Sequence, residues 1–125
     1  GNIMGTTGQI VNTSTNMVLV DNVEWCESFL CKLRGLMLRQ HLDISEGLLM
    51  VEAFESRAAT SIHMLFMAFP IAVIWLNRDF RVIDTIVAYP WNLFYSSRIP
   101  AQYTLETHPD IVEHVSHGDL LQFVE

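Results

Sequence analysis

The chain has 125 residues, half of them apolar and only 17% charged. That is long enough to fill one core and too apolar for a disordered segment. Seven basic residues against fourteen acidic ones give a formal charge of −7, which argues against nucleic acid and anionic membrane, since both reward clustered Lys and Arg. Small neutral or cationic ligands and basic proteins stay open as partners.

From the N-terminus, Gln9 to Asn12 and Met17 to Trp25 read as strands joined by the polar turn "TSTN". No pattern of a basic, then apolar, then small-residue leader precedes them. The expectation is a cytoplasmic protein, allowing for a leader that has been removed. Next comes "CESFLCKLRGLMLR", in which Phe29, Leu30, Leu33, Leu36 and Met37 fall on one helical stripe. The spacing predicts a short amphipathic helix from Ser28 to about Met37, kinked or ended at Gly35, which costs a helix about 1 kcal/mol against Ala. Cys26 and Cys31, five apart, would stand about 140° apart on such a helix. They are therefore expected as free buried thiols, and without a second pair they make no zinc site.

Gly47 to Phe54 and Ala58 to Met64 read as two more strands. The run "SIHMLFMAFPIAVIWL", Ser61 to Leu76, is too short to span a bilayer, which needs about 20 apolar residues, and Pro70 interrupts it. It parses as strand, crossing loop, strand, with Ile71 to Leu76 apolar on both faces and so in need of cover on both. "NRDF" supplies a turn and "RVIDTIVAY" returns as the antiparallel partner. Tyr89 to Pro100 is a proline-bounded aromatic loop, Ala101 to Glu106 a strand, and "HPDIVEHVSHGD" a short helix with Pro109 near its start and Gly118 after its end. Leu120 to Val124 closes the chain. Eight or nine strands and two short helices make one mainly β domain, a sandwich or barrel.

At this point the chain resembles the uncharacterised family called domain of unknown function 192. The resemblance rests on "LRGLMLR" (Leu33 to Arg39), "SIHMLFMAFPIAVIWLNRDFRV" (Ser61 to Val82), "YTLE" (Tyr103 to Glu106) and "HGDLL" (His117 to Leu121), in that order, and covers roughly residues 15 to 125. It implies a bacterial-type family of small closed or jelly-roll-like β sandwiches with one helix packed across, and no assigned activity, substrate or cofactor. Two positions depart from the family pattern. Ala72 stands where an aspartate is usual, and Phe80 where a turn glycine is common.

Candidate chemistry is sparse. His63, in an apolar strand, is either a satisfied core imidazole or a ligand-facing group. His114 and His117 are three apart, yet no third or fourth metal ligand stands at convincing spacing, so a solvated face is the alternative. Arg34 or Arg39 can clamp the helix to Glu106 as a bidentate pair, or bind an anion. Asp119, after Gly118, suits a turn cap. Cys26, Cys31 and Ser61 lack the surroundings of a nucleophile, no glycine-rich phosphate loop is present, and Met64 and Met67 suit a core better than copper. Tyr89, Trp91, Phe94 and Tyr95 can stack on a ligand ring or cap the core.

These residues support three functions. The first is a non-enzymatic ligand-binding or accessory domain, its pocket between the aromatic loop and the helix, with Trp91, Tyr95, His63 and Arg34 touching an unidentified small molecule or protein and no cofactor. The second is a small hydrolase using His63 with a carboxylate such as Glu106. The third is a protein-interaction domain that buries an apolar patch. The location of the His63 ring discriminates between the first two.

Overall fold

The computed structural model describes residues 6–125. The alternating segments become nine strands there: β1 (Thr6–Asn12), β2 (Met17–Cys26), β3 (Glu46–Ser56), β4 (Ile62–His63), β5 (Ile71–Leu76), β6 (Val82–Ala88), β7 (Phe94–Tyr95), β8 (Ala101–Thr107) and β9 (Leu121–Val124). Helix α1 (Phe29–Arg34) and a 3-10 helix (Pro109–His114) complete the list. Seven strands pair in the order β6-β5-β8-β3-β2-β1-β9, and β4 and β7 form a separate small ribbon. The chain is mainly β.

Closure is the first correction. The large sheet is not a closed barrel: β6 and β9 remain its edges and meet at one isolated bridge, Arg81 to Leu120, among the described residues. Both bridge residues lie just ahead of their strands, so pairing stops where β6 and β9 begin. Three main-chain bonds tie the two edges there: Val82 N–H to Asp119 O at 2.8 Å, Gly118 N–H to Val82 O at 2.8 Å and Leu121 N–H to Phe80 O at 3.0 Å.

The strand expected over Ala58 to Met64 shrinks to Ile62–His63. The hydroxyls of Thr60 and Ser61 donate to the carbonyls of Ser56 and Arg57, four residues back in each case, and hold the preceding residues in a turn. Strand β5 behaves as its composition demands. It runs between β6 and β8 with all six residues buried. Ile74 and Leu76 enter a core with Ile10, Val20, Leu49 and Leu105, while Ile71, Val73 and Trp75 enter a second core on the other face with Leu36, Leu48 and Ile62. Two layers of cover explain the unbroken apolar run.

The β5–β6 turn accounts for Phe80. Asn77 Oδ1 accepts from the N–H groups of Asp79 and Arg81, at 2.9 and 3.0 Å, and Phe80 is left with φ +65°, the left-handed region that a glycine enters most easily. Its ring lies 4.2 Å from that of Tyr103, between centroids, so the side chain that makes the turn costly also packs.

Candidate functional site

Strands β2 and β3 pair in parallel, so the chain between them must cross over the sheet. Helix α1 is that crossover. Ser28 starts it by accepting the Cys31 N–H at 3.1 Å on Oγ, and Gly35 ends it with φ +48°, its N–H bonded to the Cys31 carbonyl. The helix is shorter than its apolar stripe implies. None of its six residues is buried, and Phe29, Leu30 and Leu33 stand exposed.

Side-chain links attach α1 to the sheet. Cys26 and Cys31 form a disulfide with Cα atoms 5.7 Å apart, which corrects the expectation of free thiols. The helical-wheel separation does not apply, because Cys26 ends β2 and only Cys31 is helical. Lys32 Nζ lies 2.9 Å from Glu52 on β3. Arg34 reaches Glu24 on β2, at 3.7 Å, and Arg39 reaches Glu46, at 3.1 Å. The expected arginine clamp on Glu106 is therefore absent, since each arginine finds a nearer carboxylate.

Beneath α1 lies a cleft of about 490 Å³. Leu33, Leu36, Met50, Ile62, Met67 and Ile71 supply apolar walls, and Glu106, Thr104 and His63 the polar floor. Glu106 sits on β8 between Leu48 of β3 and Val73 of β5 in register, 5% exposed, and its carboxyl takes part in no hydrogen bond or ion pair among the described residues. Burial among these apolar neighbours pushes its carboxyl up to about 7. The Thr104 hydroxyl is already bonded to the Thr60 carbonyl, at 3.4 Å. His63 Nδ1 is buried and has no partner. Among the described residues His63 Nδ1 is thus the buried side-chain atom left without a partner, which calls for an explanation, and the unpaired Glu106 carboxyl opens onto the same cleft.

Of the four residues expected from the sequence to touch a ligand, His63 and Arg34 line this cleft; Trp91 and Tyr95 do not. Trp91 is 79% exposed and stacked on Tyr89, with centroids 4.4 Å apart. Tyr95 pairs with Ile62 across the small ribbon, and its hydroxyl accepts the Tyr89 N–H at 2.9 Å. The aromatic loop therefore flanks the site without forming its walls. Ser61 Oγ is spent on Arg57 and Ser96, and His108 Nδ1 accepts from the Asp110 N–H as a helix cap. Asp119 Oδ2 caps a turn by accepting from Ser116 and Asn12. Among the described residues no three His, Cys, Asp or Glu side chains converge to hold a metal ion, and no helix is long and apolar enough to cross a membrane.

Sequence reasoning undervalued Lys32, Met50, Thr104 and Glu106 itself. A signal was present: in "YTLE", Thr104 and Glu106 alternate with Leu105, so one face of a buried strand carries two polar side chains. Ala72 takes nothing from the cleft. Alternation turns it away from the side that Ile71, Val73 and Trp75 occupy, so an acid there would lie on the opposite face of the sheet.

The described residues define a small mixed-sheet β domain with an apolar cleft under a crossover helix. Residues 10–123 match the family model DUF192, described as Uncharacterized ACR, and the chain belongs to this family. It is similar to the UPF0127 protein TK1120 of Thermococcus kodakarensis, 35% identical over 91% of this chain and 72% of that protein. It is also similar to the UPF0127 protein PF1050 of Pyrococcus furiosus, 33% identical over 91% of this chain and 97% of that one. These relatives are archaeal, so the bacterial-type label does not hold for them. Among solved structures, a Sinorhizobium meliloti 1021 protein named as a proposed transcription regulator superposes with a TM-score of 0.82 over 98% of both chains, at 22% identity. A Novosphingobium aromaticivorans protein of unknown function gives 0.73 over 94% of this chain and 84% of its own, at 18% identity. Those two likenesses show the fold alone.

Proposed function

We propose that this domain binds a small, mostly apolar molecule in the cleft beneath α1, with the polar end of the ligand at Glu106 and His63. One observation carries the reading: a carboxyl buried in an apolar cleft without a protein partner. Such a group costs stability unless something satisfies it, and pockets of this size bind through apolar walls and a few convergent polar groups. Arg34, at the rim, supplies a further donor. Trp91 and Tyr95 remain candidates for contact outside the cleft, on the strength of Trp91's exposed ring. The test is a fragment library screened against ¹⁵N-labelled protein. Binders are expected to shift the amides of Lys32, Gly35, Met50 and Glu106 together. Shifts confined to the aromatic loop, or none from any fragment, would remove the cleft from consideration.

A second reading has its own support. His63 and Glu106 line the same cleft, and a carboxyl poised near neutral pH suits general acid–base work. Under it the chain is a small hydrolase, and the two side chains share a proton-transfer role. Turnover of an ester panel that disappears in both His63→Gln and Glu106→Gln would favour catalysis over simple binding; the absence of turnover in the wild type would sink it.

A further inference from the structure

The cleft has a charge as well as a shape. Its lining carries three carboxylates, Glu27, Glu52 and Glu106, against two cationic side chains, Lys32 and Arg34. Both cations are engaged: Lys32 by Glu52 at 2.9 Å and Arg34 by Glu24 at 3.7 Å. Glu27, on the outer lip, accepts the Trp25 indole N–H at 2.7 Å. What remains is Glu106, more than nine-tenths buried, lining the cleft, with no cation beside it.

Resting on the cleft as binding site, we infer that its ligand is a small primary amine with an apolar body, whose ammonium group pairs with the Glu106 carboxylate while its hydrocarbon lies against Met50, Met67, Leu36 and Ile71. An ammonium supplies three donors and the missing positive charge, and inside a low-dielectric cleft that pairing is far stronger than at the surface. A carboxylate ligand would add a fourth negative charge to the lining. A neutral alcohol would satisfy one lone pair and leave the charge uncompensated. The chain's formal charge of −7 acts in the same direction, drawing cations and repelling anions on approach.

The experiment compares three probes of one shape, hexylammonium, hexanol and hexanoate, by calorimetry at pH 8 and by amide shifts. Wild type is expected to bind hexylammonium at least tenfold more tightly than hexanol, and hexanoate not measurably. Glu106→Gln, checked for an unchanged fold by its amide spectrum, is expected to lose that preference and keep its weak affinity for hexanol. Hexanol or hexanoate binding the wild type as well as hexylammonium, with shifts in the cleft, would overturn the amine assignment and leave the cleft standing. Preference for hexylammonium that survives Glu106→Gln would overturn it too. If no probe shifts a cleft amide, both the amine and the cleft fail. Because the three probes are compared on the wild type, the outcome stands even where the variant does not fold.

Discussion

Glu106 and Gly35 meet in the lining of the cleft: a Cβ built on Gly35 would stand 3.7 Å from Glu106 Oε1. The helix end and the buried carboxyl are thus in van der Waals reach, with no side chain between them. Gly35 also holds φ +48°, where an L side chain is strained. Gly35→Ala is expected to cost about 1–2 kcal/mol in chemical denaturation, chiefly through the backbone. It would also narrow the cleft at Glu106. A variant as stable as the wild type would show that α1 ends in another conformation.

Glu106 makes stability depend on pH in an unusual direction. Its folded pKa, about 7, lies above the ordinary 4.5, so between those values the folded state holds the proton more firmly than the unfolded one. The stability this group contributes is complete below about pH 4.5 and is lost as pH rises through about 7. The full swing is on the order of 3 kcal/mol. Denaturation midpoints measured from pH 5 to 8 should fall for wild type and stay flatter for Glu106→Gln. Parallel profiles would mean that the carboxyl is hydrated or paired.

The disulfide is expected to matter locally. It closes a loop of only a few residues, for which chain entropy gives about 2 kcal/mol. Because α1 buries none of its own residues, reduction should release hydrogen-exchange protection over Phe29–Arg34 while the sheet keeps its own. A thiol assay on unfolded, unreduced protein should find no free cysteine. Two reactive thiols would return the pair to the unbonded state.

Ile74 tests the double-sided burial of β5. It is fully buried between β6 and β8, and Ile74→Asp places a charge in the first core with no partner. The expected loss is about 3–5 kcal/mol, enough to unfold a marginal domain. Unchanged thermal stability would mean that β5 is peripheral. Trp91→Ala is the contrasting case. With 79% of the residue exposed, the fold should lose less than about 0.5 kcal/mol, and any affinity lost with it would mark the ring as a ligand contact.

Legibility in the sequence followed the range of the interaction. The β5–β6 hairpin could be read directly, because its apolar run, the Asn77 turn and the returning strand are contiguous. The start of α1 was likewise local, whereas its end, expected near Met37 with a kink or stop at Gly35, comes at Arg34. The disulfide was not, because a five-residue spacing does not show where strand gives way to helix, and the chain turns between Cys26 and Cys31 at Glu27 and Ser28. The arginine partners failed for the same reason. Arg34 and Glu106 share a cleft, but only the parallel β2–β3 pairing shows that Glu24 is available to Arg34 and leaves Glu106 alone. Closure was misjudged because a strand count carries no information on whether the last edge finds the first. Aromatic residues in a proline-bounded loop suggested a pocket wall, yet loop composition does not say which way a ring faces.

The most direct measurement is the carbon-13 chemical shift of the Glu106 carboxyl followed through a pH titration, with and without hexylammonium. The carboxyl of the free protein should titrate at about 7, and hexylammonium should move that midpoint down as the ion pair forms. A midpoint at the ordinary 4.5, unmoved by the amine, would contradict the account, since Glu106 would then be neither sequestered nor open to the ligand.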